Sequence, residues 1–150
     1  MAHCGFNDDP AAGVSGAHLL ISLGPTLQVD IGFDPAYVPT QTTPPAAGIS
    51  GVHALVDTGA QECCIDAMLA THLNLPIVDR RVVSGVQGSF EVNVYMAQVY
   101  FPTLTKTMYG AFAGVNLAAG GQPHSALIGR TFLQYFTLTY YGATGAVTID

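Results

Sequence analysis

Apolar positions along the chain fall mostly into short runs separated by glycine, proline and small polar residues, a spacing that predicts strands more than helices. Leu27, Val29, Ile31 and Phe33 alternate with Gln28, Asp30 and Gly32, the period of two of a half-buried strand. Leu19 to Leu23 precedes them across Gly24-Pro25, and the two runs predict a β-hairpin or two successive strands. Residues 34–51 carry Pro35, Pro39, Pro44 and Pro45 among Thr, Gln and Gly, which excludes regular helix or a central strand and predicts a surface loop. Val52 to Val56 follows as a strand, and Cys63-Cys64-Ile65 as a shorter one.

Asp66 then stands where an N-cap would, ahead of Ala67, Met68, Leu69, Ala70 and Leu73, with Asn74 and Pro76 near the exit. This predicts a short amphipathic helix with Met68, Leu69 and Leu73 facing the core. Val82 to Phe101 is strand-like on both sides of Ser84-Gly85-Val86-Gln87-Gly88-Ser89, a hairpin with a polar, mobile tip. Lys106 to Phe112 predicts another strand, and 114–125 a second long loop. Ala126-Leu127-Ile128-Gly129 is an apolar run closed by glycine, and Arg130 to Phe136 places Phe132, Leu133 and Phe136 at helical spacing. Leu138 to Tyr141 and Ala146 to Ile149 form a closing hairpin about Gly142 to Gly145. Residues 1–16 show no sustained period and predict a flexible tail, which leaves 17–150 as one domain. The fold class predicted is all-β with one or two short helices.

Composition narrows the picture. A chain of 150 residues can bury a real core without staples, and only 9% of it is charged, so a surface poor in charge favours an oligomer. The net charge is −6 and no basic residue occurs before Arg80, which argues against nucleic-acid binding. Leu19-Leu20-Ile21 is too short for a membrane span, and the N-terminus lacks the positive region of a secretory signal, so a soluble, cytoplasmic protein is expected. Three cysteines, two of them adjacent, form no disulfide framework, and five scattered histidines show no ligand spacing; neither metal nor cofactor is expected.

One stretch breaks the pattern. Ala54-Leu55-Val56 reads as buried strand, yet it ends in Asp57-Thr58-Gly59-Ala60. A carboxylate there is either held structurally, as in an Asx-turn, or kept because its ionisation serves chemistry. A thiol enzyme built on Cys63 or Cys64 lacks a nearby base in sequence.

The run Ala54 to Ala60, the glycine-bearing hairpin at 84–90 and Leu127-Ile128-Gly129-Arg130 before a short helix together resemble a retropepsin-type aspartic protease, over about residues 17–149. The resemblance implies a closed β-barrel of the acid-protease type. It also implies a homodimer, because the chain holds one Asp-Thr-Gly where two are needed. Two Asp57 carboxylates would then share a proton and activate a water against a peptide bond, with no metal or cofactor. Thr58 would bond across the two-fold axis, and Gly59 would let backbone approach partner and substrate, its carbonyl receiving a substrate N–H. Ala60 would wall a substrate pocket. Gly129 would let the chain cross behind the active-site loop, and Gly85, Val86, Gln87 and Gly88 would form a flap over an extended peptide.

Three features depart from the family pattern. Gln61 stands where retroviral relatives carry an acidic residue, with Glu62 next, so Arg130 is left to Glu62, to a dimer mate or to nothing. Gln87 makes the flap tip polar, and the chain has an insertion at 34–51. The alternative to an endopeptidase is a retropepsin-fold module that dimerises and binds peptides without cleaving them.

Overall fold

A computed structural model describes every residue of the chain except Gln87, so that tip position lies outside the described residues. The strands are β1 (Ala2–His3), β2 (Thr26–Gly32), β3 (Ile49–Val56), β4 (Cys64–Asp66), β5 (Ile77–Gly85), β6 (Gly88–Phe101), β7 (Lys106–Val115), β8 (Ala126–Ile128), β9 (Leu138–Tyr141) and β10 (Ala146–Ile149). Three short helices accompany them, α1 (Gly16–Leu23), α2 (Ala67–His72) and α3 (Arg130–Leu133).

Six strands close into a barrel in the order β2-β3-β8-β4-β7-β6, because β6 returns to β2 through Asp30–Tyr100, Ile31–Val99 and Gly32–Gln98. That pairing joins the two ends of the ring, while β5 and the first part of β7 keep one side unpaired. The period of two along β2 buries Leu27, Val29 and Ile31, which join Val56, Ile65, Val99, Phe101, Phe112 and Ile128 in one core. Phe132 of α3 caps that core by stacking on Phe101, ring centroids 4.7 Å apart. β5 stays outside the ring and pairs only with β6, so the two project as an arm whose outer half is exposed.

The prolines of the 34–51 segment keep it irregular up to β3, which starts at Ile49, three residues earlier than its apolar run suggests. Its start is pinned by buried Gln98, which accepts from the Asp34 N–H (2.7 Å) and donates to the Asp34 carbonyl (3.0 Å). The Asp34 carboxylate closes the loop by accepting from the N–H groups of Ala36 and Ala46.

Three expectations are corrected. Leu19 to Leu23 lies in helix α1 and not in a strand, so β2 pairs with β3 and β6 instead of forming a hairpin with it. Ser15 caps the helix by accepting from the His18 N–H, and Gly24 ends it at φ 74°, donating to Leu20 O. The start of the 1–16 segment is packed, though 7–13 are exposed: β1 pairs with β10, Cys4 is buried, and its N–H donates to Val147 O while its carbonyl accepts from Thr26 N–H. β1, β10 and β9 thus make a separate three-stranded sheet. Finally, Asp66 does cap α2, but Met68 is 66% exposed; Leu69 and Leu73 carry the contact with the core.

Candidate active site

β3 delivers Asp57 to the barrel rim. Its parallel pairing with β8 sets Val56 beside Ile128, and the ladder runs one step further, Asp57 N–H donating to Ile128 O at 2.9 Å. The chain then turns: Ala60 N–H donates to the Asp57 carbonyl, and Gly59 N–H to Asp57 Oδ1 at 2.9 Å. That last bond is the Asx-turn geometry, and it holds the carboxylate in one orientation. Among the described residues Oδ2 accepts no protein hydrogen bond. Asp57 is half-buried, so one oxygen is anchored while the other remains available to a ligand.

Two loops interlock behind this turn. Arg130 N–H donates to Ala60 O (2.9 Å) and Thr131 N–H to Gln61 O (3.0 Å), stitching the start of α3 to the chain after Asp57. Gly129 lies buried between them: a Cβ there would stand 2.4 Å from Glu62 O and 2.9 Å from Ala60 O, both backbone atoms. Its N–H reaches Cys63 Sγ at 3.3 Å. Backbone of the loop after Asp57 therefore leaves no room for a side chain at Gly129.

Arg130 does not pair with Glu62. Its Nη1 donates to the Thr58 carbonyl at 2.8 Å, clamping the turn, while Glu62 pairs with Arg81 of β5. Glu62 thereby ties the loop after Asp57 to the arm. Thr58 and Gly59 are exposed, and the Thr58 hydroxyl has no partner among the described residues of its own chain. A Cβ at Gly59 would come within 3.1 Å of Asp57 Oδ1, so a side chain there would crowd the carboxylate. Ala60 is half-buried beside it.

At the arm's tip Gly85 pairs with Gly88, whose φ of +110° belongs to the region that favours glycine, and Val86 is fully exposed. Ser84 and Ser89 bridge the strands through their hydroxyls at 3.0 Å.

The thiols do not offer a second chemistry. Burial pushes Cys64 up to about 11 from an ordinary 9.0, reinforced by the neighbouring Cys63, Glu62 and Asp57, and burial raises Cys63 as well. Protonated thiols of that kind are poor nucleophiles. Among the described residues no group of three His, Cys, Asp or Glu side chains converges as a metal site. No described helix is long and apolar enough to cross a membrane.

Sequence reasoning missed two polar centres. Asp66, only 6% exposed, accepts from Leu69 N–H as a cap and also from Leu117 and Ala118 N–H, fifty residues away. His124, 4% exposed, places Nε2 2.8 Å from Thr26 Oγ1 and Nδ1 3.2 Å from Gln122 Oε1. Asp66 was visible as a cap, but its far partners and the His124 cluster had no local signal. A scan of the chain against protein-family models finds no match, and a search of curated proteins finds none either.

Proposed function

We propose that the chain is an aspartic endopeptidase of the retropepsin type, working as a homodimer with one Asp57 from each copy. The observation that carries this reading is the state of Asp57: one oxygen fixed by the Gly59 N–H, the other free, on a turn clamped by Arg130. Two such carboxylates facing each other across an axis cannot both ionise cheaply, so they share a proton. The ionised member takes a proton from a water held between them as that water attacks the scissile carbonyl; the protonated member donates to the carbonyl oxygen. A tetrahedral intermediate results, and its collapse with proton transfer to the amide nitrogen breaks the C–N bond. No covalent adduct, metal or cofactor enters.

The unpaired Thr58 hydroxyl is free to bond across the axis, and exposed Gly59 leaves room for backbone to approach. The β5–β6 arm, with Gly85, Val86 and Gly88 at its tip, supplies a flap for an extended, largely apolar peptide.

The test is cleavage of an unfolded protein by wild type and Asp57→Asn from acidic to neutral pH, with both sized by sedimentation. Cleavage by a wild-type dimer in mildly acidic solution, abolished in the variant, is expected. Equal cleavage by both removes Asp57 from the reaction, and cleavage by a strict monomer refutes the shared site. A dimer that cleaves at no pH assigns the fold to peptide binding.

A further inference from the structure

β7 is covered on one side by β6 from Phe101–Lys106 to Val94–Ala113. On the other side β4 reaches only Ala113 to Val115. The stretch from Lys106 to Phe112, roughly 20 Å of strand, therefore has an open edge inside an otherwise closed barrel. Ala113 N–H points to that side, donating to Cys63 O, and alternation along a strand sends the N–H and C=O of Ala111, Tyr109 and Thr107 the same way. None of these six groups has a partner among the described residues. An open edge of this kind is a template for a further strand.

Beside the edge runs a groove whose far wall is α3 and the residues after it. One part, of about 370 Å³, lies between Glu62–Arg81 and Tyr135; the next, of about 490 Å³, continues past Phe132 and Phe136 to Lys106. Met108, Gly110 and Phe112 face it from β7, and a Cβ at Gly110 would meet nothing within 4 Å, so the floor has room for an incoming side chain. At its far end sits Lys106. Arg80 pairs with Glu91, Arg81 with Glu62, and Arg130 with a carbonyl; Lys106 alone of the four basic residues has no partner among the described residues.

We infer that the β7 edge from Thr107 to Ala111 docks an extended peptide strand of another protein, apolar on the side facing the groove and bearing a carboxylate beside Lys106. The backbone groups supply strand pairing, the aromatic wall receives alternate side chains, and the unpaired cation sets the charge of the occupant. The site needs neither Asp57 nor its proton, and it stands whether or not the protein cleaves peptides.

The probe is a fluorescent eight-residue peptide alternating valine and threonine with one terminal aspartate, titrated by anisotropy against Asp57→Asn, so that cleavage does not intervene. Saturable binding is expected. N-methylation of the alternate amides that face β7 weakens it about tenfold or more, the loss of more than one hydrogen bond, whereas methylation of the other set leaves it unchanged. Binding slows hydrogen exchange at Thr107, Tyr109 and Ala111, and Lys106→Glu reverses the preference from a terminal aspartate to a terminal lysine. Absence of saturation at millimolar peptide, indifference to the methylated register, or protection confined elsewhere overturns the proposal. Protection of the same three amides by raising protein concentration alone, without peptide, makes the occupant a second copy and overturns it too.

Discussion

Two aspartates of this chain show how position separates a structural carboxylate from one with work left to do. Asp66 spends both oxygens on three backbone N–H groups and is buried. Asp66→Ala strands the Ala118 N–H, leaves the Leu117 N–H only its bond to Val115 O and removes the cap of α2, so denaturant unfolding should show a loss of about 2 kcal/mol. Asp57 spends one oxygen on one N–H, and the Asn side chain of Asp57→Asn can accept the same bond. Its stability should stay within about 1 kcal/mol of wild type while proteolysis disappears. At Gly129 the constraint is purely steric: Gly129→Ala sets a methyl against Glu62 O and Ala60 O, and calorimetry should register a loss of about 1–3 kcal/mol or more. That requirement was legible only through the resemblance, since an apolar run ended by glycine does not itself say what the glycine touches.

At the scale of elements, most strands were legible because their period of two and their Gly and Pro borders are local signals. α1 was misread because a five-residue run with four apolar positions fits either element. The deciding signals were present, Ser15 before the run and Gly24 after it, and they end a helix rather than a strand. Ile21, 80% exposed, shows how little of the run the core takes up. β1 was invisible for another reason, since its partner β10 lies at the opposite end of the chain. Arg81 illustrates the same limit within the candidate site: no spacing rule connects it to Glu62, yet that pair links the arm to the loop after Asp57. The pair is partly exposed, so Glu62→Gln should change global stability by less than about 1 kcal/mol. Hydrogen exchange should nevertheless quicken along β5, because β5 has only β6 to hold it and the pair is its side-chain tie to the barrel.

For the whole molecule, the buried ionisable groups define a pH window. His124 is held below its ordinary 6.5 by burial, with His53 adding to the effect. The folded chain therefore binds that proton less readily than the unfolded chain, so stability is fully present above 6.5 and is lost as pH falls through it. Cys4 and Cys64 are pushed the other way, each to about 11 from 9.0, by burial. Their unfolded forms ionise first, so stability is fully present below 9 and declines toward 11. Thermal melts across pH should show a plateau between these limits, with His124→Gln flattening the start of the acid limb and Cys4→Ala with Cys64→Ala flattening the alkaline one. The acid limb bears on the proposed function, because a carboxylate dyad sharing one proton would work in mildly acidic solution, where His124 is already drawing on stability. His124 touches Thr26 and Gln122 and not Asp57. His124→Gln should accordingly leave cleavage unchanged near neutrality and prolong it at the acid end, seen as a slower loss of activity on incubation there. A shift of the whole pH–rate profile in that variant would instead tie His124 to the reaction itself.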